Sequence, residues 1–231
     1  YPEEVELGTL LTRLRDARLA RTLFPAWLFR ANEMLVVRLV RPKPLPRPLE
    51  HIKFRWVGAQ DEALLQSVRP RRAGYGREFA RGAWCLLGEV SGEPAACAFF
   101  EPGPVHVSRA NGYEFRFGER AAWAYGIEVN PRFRLTGIFH KFWIEALRLL
   151  AERGRDVVYG SVQADNPHSV NSHKRLGFEI LYRFRVVRVA GIVTHAVEPV
   201  DRPELPRARG LGRWRGSPVP GGPGQGSPVH G

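Results

Sequence analysis

Cysteine is scarce in this 231-residue chain. There are two, Cys85 and Cys97, with no CxxC pair. That excludes a cysteine-built zinc site and a disulfide framework. His140, His168 and His195 do not fall at ligand spacing with a carboxylate cluster, so no metal is expected. No apolar run approaches the ~20 residues a bilayer-spanning helix needs. The opening residues are acidic and polar rather than a secretory signal, which gives a cytoplasmic expectation. The first residue is Tyr1 rather than methionine, so the expectation is also that a true N-terminus precedes it. Lysine is sparse too: nearly all of the 35 Lys+Arg are arginine, against 23 Asp+Glu, for a net charge of +12. A basic chain favours polyanions such as nucleic acid, anionic lipid or a phosphorylated cofactor, and arginine forks onto phosphate better than lysine does. A GC-rich genome would produce the same arginine bias. No nucleic-acid-reading motif is present, so nucleic acid is not an expected partner.

Hydrophobic residues make up 44% and aromatics 11%, enough for one core domain with appendages. Residues 5–30 carry apolar side chains at helical spacing (Leu7, Leu10, Leu11, Leu14) with Arg13, Arg15, Arg18 and Arg21 largely between them. This predicts a basic amphipathic helix, docked on the domain or, through residues 5–24, lying on a membrane surface. Residues 34–40 read as a short strand, and the four prolines of residues 41–49 as a stiff connector. The expected division is therefore an N-terminal region 1–50, a domain over 51–200 and a disordered Pro/Gly-rich tail over 201–231.

Within 51–200 the pattern predicts a strand over 53–58 and helix over 60–80. A hairpin turning at Ser91-Gly92 follows, which sets Cys85 near Cys97 as two buried thiols. Strands over 113–117 and 122–129 come next, then a helix over 133–153. A strand over 157–162, a short helix over 167–176 and a last hairpin around Gly191 complete the domain.

Two junctions carry the chemistry. The first is Val129-Asn130-Pro131-Arg132-Phe133-Arg134-Leu135-Thr136-Gly137-Ile138-Phe139, a strand-to-helix turn. Such a turn offers unpaired backbone N–H groups at the positive end of a helix dipole, a site for phosphate, with Arg132 and Arg134 at its rim. The second runs from Asn166 through Ser169 and His173 to Gly177 and Phe178, a short helix with a glycine exit into the next strand.

In this order and spacing the two elements resemble the GNAT superfamily of N-acyltransferases. Arg134, Gly137 and Phe139 stand at the positions of that family's pyrophosphate-gripping turn. Asn166, Ser169, His173, Gly177 and Phe178 stand at those of its second motif. The resemblance spans about residues 80–195. Phe139 departs from the small residue usual in the turn, and His173 from a tyrosine that often protonates the departing thiolate.

The resemblance implies a mixed α/β (α+β) fold: a mostly antiparallel central sheet flanked by helices, with a V-shaped opening between two central strands. It implies acetyl-CoA, or another acyl-CoA, as co-substrate. Val129, Arg132, Arg134, Leu135, Thr136, Gly137, Ile138, Phe139, Asn166 and Ser169 would bind it. The acceptor would be a small-molecule or peptide amine, which the basic charge inclines toward an anionic one. An oxyanion would be held by a backbone N–H near Val129 or Asn130. Glu128 is the expected general base, with Asp165 in reserve, and His173 the expected acid. Trp123 and Tyr125 are taken to share Glu128's side of a regular strand and wall the acceptor pocket. Two other readings stay open. One is a longer-chain or acyl-carrier-protein donor, since carrier proteins are acidic. The other is a noncatalytic binding module at a membrane or polyanion surface.

Overall fold

The computed structural model describes residues 29–44, 51–108, 113–189, 192–199, 208–210 and 214–215. The basic helix expected over residues 5–30 falls almost wholly outside them, as does most of the proline connector.

In chain order the described elements begin with β1 (Phe29–Leu39), β2 (Ile52–Val57), α1 (Glu62–Val68) and α2 (Gly76–Ala80). Next come β3 (Trp84–Val90), β4 (Glu93–Pro102), β5 (Val105–Ser108), β6 (Tyr113–Arg116) and β7 (Ala121–Val129). Then follow α3 (Ile138–Ala151), β8 (Val157–Gln163), α4 (Pro167–Leu176), β9 (Glu179–Val189) and β10 (Ile192–Pro199). Short strands β11 (Ala208–Gly210) and β12 (Trp214–Arg215) close the series. Nine strands form one sheet in the order β12-β10-β9-β1-β8-β7-β4-β3-β2, and β11-β6-β5 form a second. Among the described strands the pairings are antiparallel except β7 with β8. The expected α/β architecture is thus present.

Three expectations need correcting. β1 is not part of an N-terminal appendage. It lies between β8 and β9, and Met34, Leu35, Val36 and Val37 are all buried, as their unbroken apolar run demands of a strand covered on both faces. The sheet therefore takes in residues before 51. Within the expected disordered tail, β11 pairs with β6 and β12 with β10. The helical stretch over 60–80 is two short helices, α1 and α2, and the long helix starts at Ile138 rather than at 133.

α3 lays Ile138, Phe142, Trp143, Ala146, Leu147 and Leu150 on the sheet, a stripe at helical spacing. Alternate residues of β3, β4 and β7 meet it: Leu86, Ala96, Ala98, Phe100, Ala122 and Ala124. The opposite face, with Cys85, Leu87, Cys97 and Phe99, is covered by α1 and by Tyr75. Cys85 and Cys97 are buried free thiols, as expected, on diagonally neighbouring positions of the hairpin.

Candidate active site

The central opening follows from where the ladder stops. β7 and β8 pair from Ala121↔Val157 to Ala124↔Gly160 and no further, although the strands run on to Val129 and Gln163. Among the described residues, β7 pairs beyond Ala124 with β4 alone, and β8 beyond Gly160 with β1 alone. Two parallel neighbours that part in mid-sheet leave a backbone edge on each side of a gap.

A bulge at the mouth of this gap decides which side chains meet there. Phe99 pairs with Tyr125 and Cys97 with Glu128, so three residues of β7 span two of β4. Gly126 supplies the left-handed conformation (φ 61°) that a bulge of this kind uses. In a regular strand Glu128 would face away from Trp123 and Tyr125, so strict alternation cannot set the three on one side as expected. The inserted residue reverses the phase. Ile127 and Val129 join the α3 face with Ala122 and Ala124, while Glu128 comes onto the face of Tyr125. Trp123 is buried, tilted against Phe115 and stacked on His106, so it is core rather than pocket wall. Tyr125 is half-buried and stacked on Phe99. Burial first, then the Glu101 and Glu78 carboxylates, push its hydroxyl far up, so it stays protonated.

The turn after β7 is built by caps and left-handed residues. Asn130 accepts a hydrogen bond from the Arg132 amide on its side-chain oxygen, opening a single 3-10 turn over Pro131–Phe133. Its own amide donates to Ala95, so Asn130 N–H is spent and cannot hold an oxyanion. Alternation then leaves the Val129 N–H and C=O on the opposite edge, toward the gap. Leu135 has φ 65° and a fully exposed side chain, and Gly137 has φ 87° as the N-cap of α3. A left-handed leucine is strained, and here the strain buys no burial. The amides of His140 and Lys141 fold back onto the Gly137 carbonyl. Those of Gly137, Ile138 and Phe139 precede any intrahelical acceptor and stand at the positive end of the helix.

Arg132 pairs with Glu93 at 2.6 Å. Arg134 reaches back to Glu128 at 3.2 Å and to the Val129 carbonyl at 3.4 Å. The expected phosphate arginine and the expected base are therefore partners in this structure. The Phe139 ring packs edge-on against Trp143 and His173, so its bulk is absorbed between α3 and α4.

α4 starts and stops as its sequence dictates: the Asn166 side chain accepts from the Ser169 amide, Pro167 takes the first turn, and Gly177 (φ 104°) caps the end. Asn166 thus spends its carbonyl oxygen as a helix cap. His173 is 3% exposed among Phe139, Trp143 and Phe178. Burial pushes its pKa down to about 4, and its Nδ1 lies 2.7 Å from the Ser169 carbonyl. A carbonyl only accepts, so Nδ1 carries the ring's one proton. A neutral imidazole whose proton is already donated is not poised as an acid. The expected acid role for His173 gives way to packing and helix bracing.

Sequence reasoning missed Arg69, the residue capping the C-terminal end of α1, whose guanidinium lies against the bulge at Gly126. A lone glycine inside a strand pattern was the available signal, since it marks a bulge or a close backbone approach. Among the described residues no group of three or more His, Cys, Asp or Glu could hold a metal, and no helix is long and apolar enough to cross a membrane.

A sheet parted between two parallel strands, with the N-terminus of α3 beside the parting, sets an anion-attracting helix end next to an open strand edge. The sequence pattern of the acetyltransferase (GNAT) family matches residues 50–178, more than half of the chain, and the chain belongs to that family. Among solved structures it is similar to the GCN5-related N-acetyltransferase of Sphaerobacter thermophilus (TM-score 0.50, 16% identity, 86% of this chain and 70% of that one). Further similarity is found to GNAT-family structures from Novosphingobium aromaticivorans (TM-score 0.47, 18% identity, 74% and 66%) and Colwellia psychrerythraea (TM-score 0.49, 15% identity, 68% and 55%). The chain thus spans 55% to 66% of the length of the latter two. The likeness to the Sphaerobacter thermophilus structure bears on the fold alone. No curated protein matches the chain.

Proposed function

We propose that this protein transfers an acyl group, acetyl in the simplest case, from acyl-coenzyme A to the nitrogen of an amine. The observation that carries the reading is the meeting, at one gap in the sheet, of the bulge-positioned Glu128, the Val129 edge turned away from β4 and the N-terminus of α3.

The coenzyme pyrophosphate sits on the Gly137, Ile138 and Phe139 amides, with Arg134 swinging from Glu128 to the phosphates. The pantetheine enters the gap, where the unpaired edge of β7 can hydrogen-bond it. Glu128 takes a proton from the ammonium of the acceptor. The freed amine attacks the thioester carbonyl, and the Val129 N–H holds the developing oxyanion. The C–N bond forms, the nitrogen gives up its second proton to solvent as the C–S bond breaks, and the thiolate takes a proton from solvent. A thiol of ordinary pKa, about 8.5, is a tolerable leaving group near neutrality, so no protein acid is required. Alignment of the two bound reactants supplies much of the remaining rate gain. One fold serves many functions, so the family does not choose among acceptors.

The test is turnover of acetyl-coenzyme A, and of acyl-carrier thioesters in parallel, against a panel of amines. Glu128→Gln is expected to lower kcat about 10²- to 10⁴-fold, the usual worth of a positioned base. Full activity in that variant removes Glu128 from the mechanism. Preference for the carrier-bound thioester replaces the donor.

A further inference from the structure

We propose that Arg69 recognises an oxyanion on the acceptor, so that the acceptor is an amine carrying a carboxylate or phosphate close to its nitrogen. This rests on the reading of Glu128 as the group that meets the amine.

The backbone of Arg69 is fixed at both ends. Its amide donates to the Leu65 carbonyl at the end of α1, and its own carbonyl accepts the Tyr75 hydroxyl. Tyr75 is 1% exposed and stacks on Phe99 at 5.4 Å. The side chain then crosses the sheet face to the bulge. Arg69 Nη1 lies 3.1 Å from where a Cβ on residue 126 would stand, so the missing side chain of Gly126 is what admits the guanidinium to the strand. Gly126 is the residue whose insertion turns Glu128 onto this same face. Both charges reach the Cys97 thiol: burial pushes it up to about 12, Arg69 draws it down and Glu128 raises it. One cation and one carboxylate thus flank a short stretch of β7 at the mouth of the gap.

Among the described residues the cation has no anionic partner. Half-buried Arg69 has no carboxylate and no side-chain hydrogen bond among the described residues. Its neighbours differ: Arg71 is paired with Glu78, and Arg134 with Glu128. Partly buried charge is ordinarily paired, and an arginine fork matches a carboxylate or phosphate oxygen pair. The donor phosphates belong at α3, on the other face of the sheet, so the group that meets Arg69 comes with the acceptor. Ammonium at Glu128 and oxyanion at Arg69 would align a bipolar acceptor along β7. A polyamine, by contrast, would bring a second cation against Arg69.

The experiment uses matched pairs: amino acids against their amides, and phosphoethanolamine against ethanolamine, offered to the full chain saturated with coenzyme A (binding by calorimetry) or acetyl-coenzyme A (turnover). The anionic member of at least one pair is expected to be favoured tenfold or more. The pair that shows it separates carboxylate from phosphate. Arg69→Gln is expected to collapse that ratio by about tenfold to a hundredfold, mainly through KM, the usual loss for a charge-assisted fork. Arg69→Lys should restore part of it, which a merely structural role would not do. The proposal is overturned if no anionic member binds, if the neutral members do as well, or if Arg69→Gln lowers both members alike. It is equally overturned if that variant loses coenzyme affinity instead, because Arg69 would then serve the donor. Glu128→Gln separates the two readings. Lost turnover with the binding preference intact supports both, whereas retained turnover removes the base and leaves Arg69 standing.

Discussion

His173 shows how one residue can fill a motif position and yet do different work. Its ring is enclosed by three aromatic side chains, and its single proton is bonded to the Ser169 carbonyl. Because burial lowers its pKa from 6.5 to about 4, the folded state resists protonation that the unfolded chain accepts. Above pH 6.5 both states are neutral and His173 makes no pH-dependent contribution. As pH falls from 6.5 toward 4 the unfolded state gains a proton and the folded state does not, so stability drops. Below about 4 both are charged and the loss levels off. The full loss is about 3 kcal/mol, from roughly 1.4 kcal/mol per pH unit. Denaturant unfolding at pH 7.5 and 4.5 is expected to show this fall, and His173→Leu to flatten its share of it. A wild-type profile no steeper than that of the variant would refute the buried neutral assignment. The same variant is expected to retain most of its transfer activity once folded, since the ring donates no proton to the leaving group.

The turn between β7 and α3 is the element in which binding and chemistry are coupled. Arg134 cannot hold Glu128 and the coenzyme phosphates at once. Removing the carboxylate should therefore free the arginine: Glu128→Gln is expected to bind coenzyme A about two- to fivefold more tightly than wild type. That range corresponds to ~0.4–1 kcal/mol, the scale of an exposed ion pair. Arg134→Gln should weaken binding, and in that background Glu128→Gln should change nothing further. Calorimetric affinities for the two single variants and the double one close the cycle. An equal gain in both backgrounds would mean the carboxylate acts only through its field. This element also shows what can be read in advance. The capped start and glycine exit of α4 are local signals, and Pro167–Leu176 matches the expected helix. The start of α3 was misplaced because Leu135 stands three residues before Ile138, at helical spacing, while the left-handed backbone of Leu135 and Gly137 breaks the helix there. The face of Glu128 was legible only by chance. Alternation gave the wrong phase, and the bulge at Gly126 corrected it. For Arg69 the glycine at 126 could mark the bulge, but periodicity cannot tell which of many arginines folds against it.

At the scale of the whole molecule the decisive feature is β1, which is remote in sequence from the strands it joins. It pairs with β8 through Leu39↔Val158 and with β9 from Phe29↔Val189 to Arg38↔Glu179. Arg38 also binds Glu179 at 2.6 Å. Local patterning showed a strand but not its neighbours, because register between distant segments is set only when the sheet assembles. The segment matched to the family, residues 50–178, ends before β9 and starts after β1. Cut to that length, the chain would expose the far edge of β8. It would also lose the apolar side chains of Leu35, Val37 and Leu39 from the core beneath α3 and α4. Gly177 adds a further tie, since a Cβ there would stand 3.2 Å from the Arg41 carbonyl, and the Lys43 amide donates to Leu176 at 2.8 Å. β1 and its exit thus brace the end of α4 as well as the edge of the gap. A fragment of residues 50–178 is accordingly expected to lack a cooperative unfolding transition and to bind no coenzyme A, while residues 29–199 retain both. Circular dichroism melts and calorimetry on the two fragments decide the matter. A fragment of 50–178 that melts cooperatively and binds coenzyme A would show that β1 covers a finished domain instead of completing one.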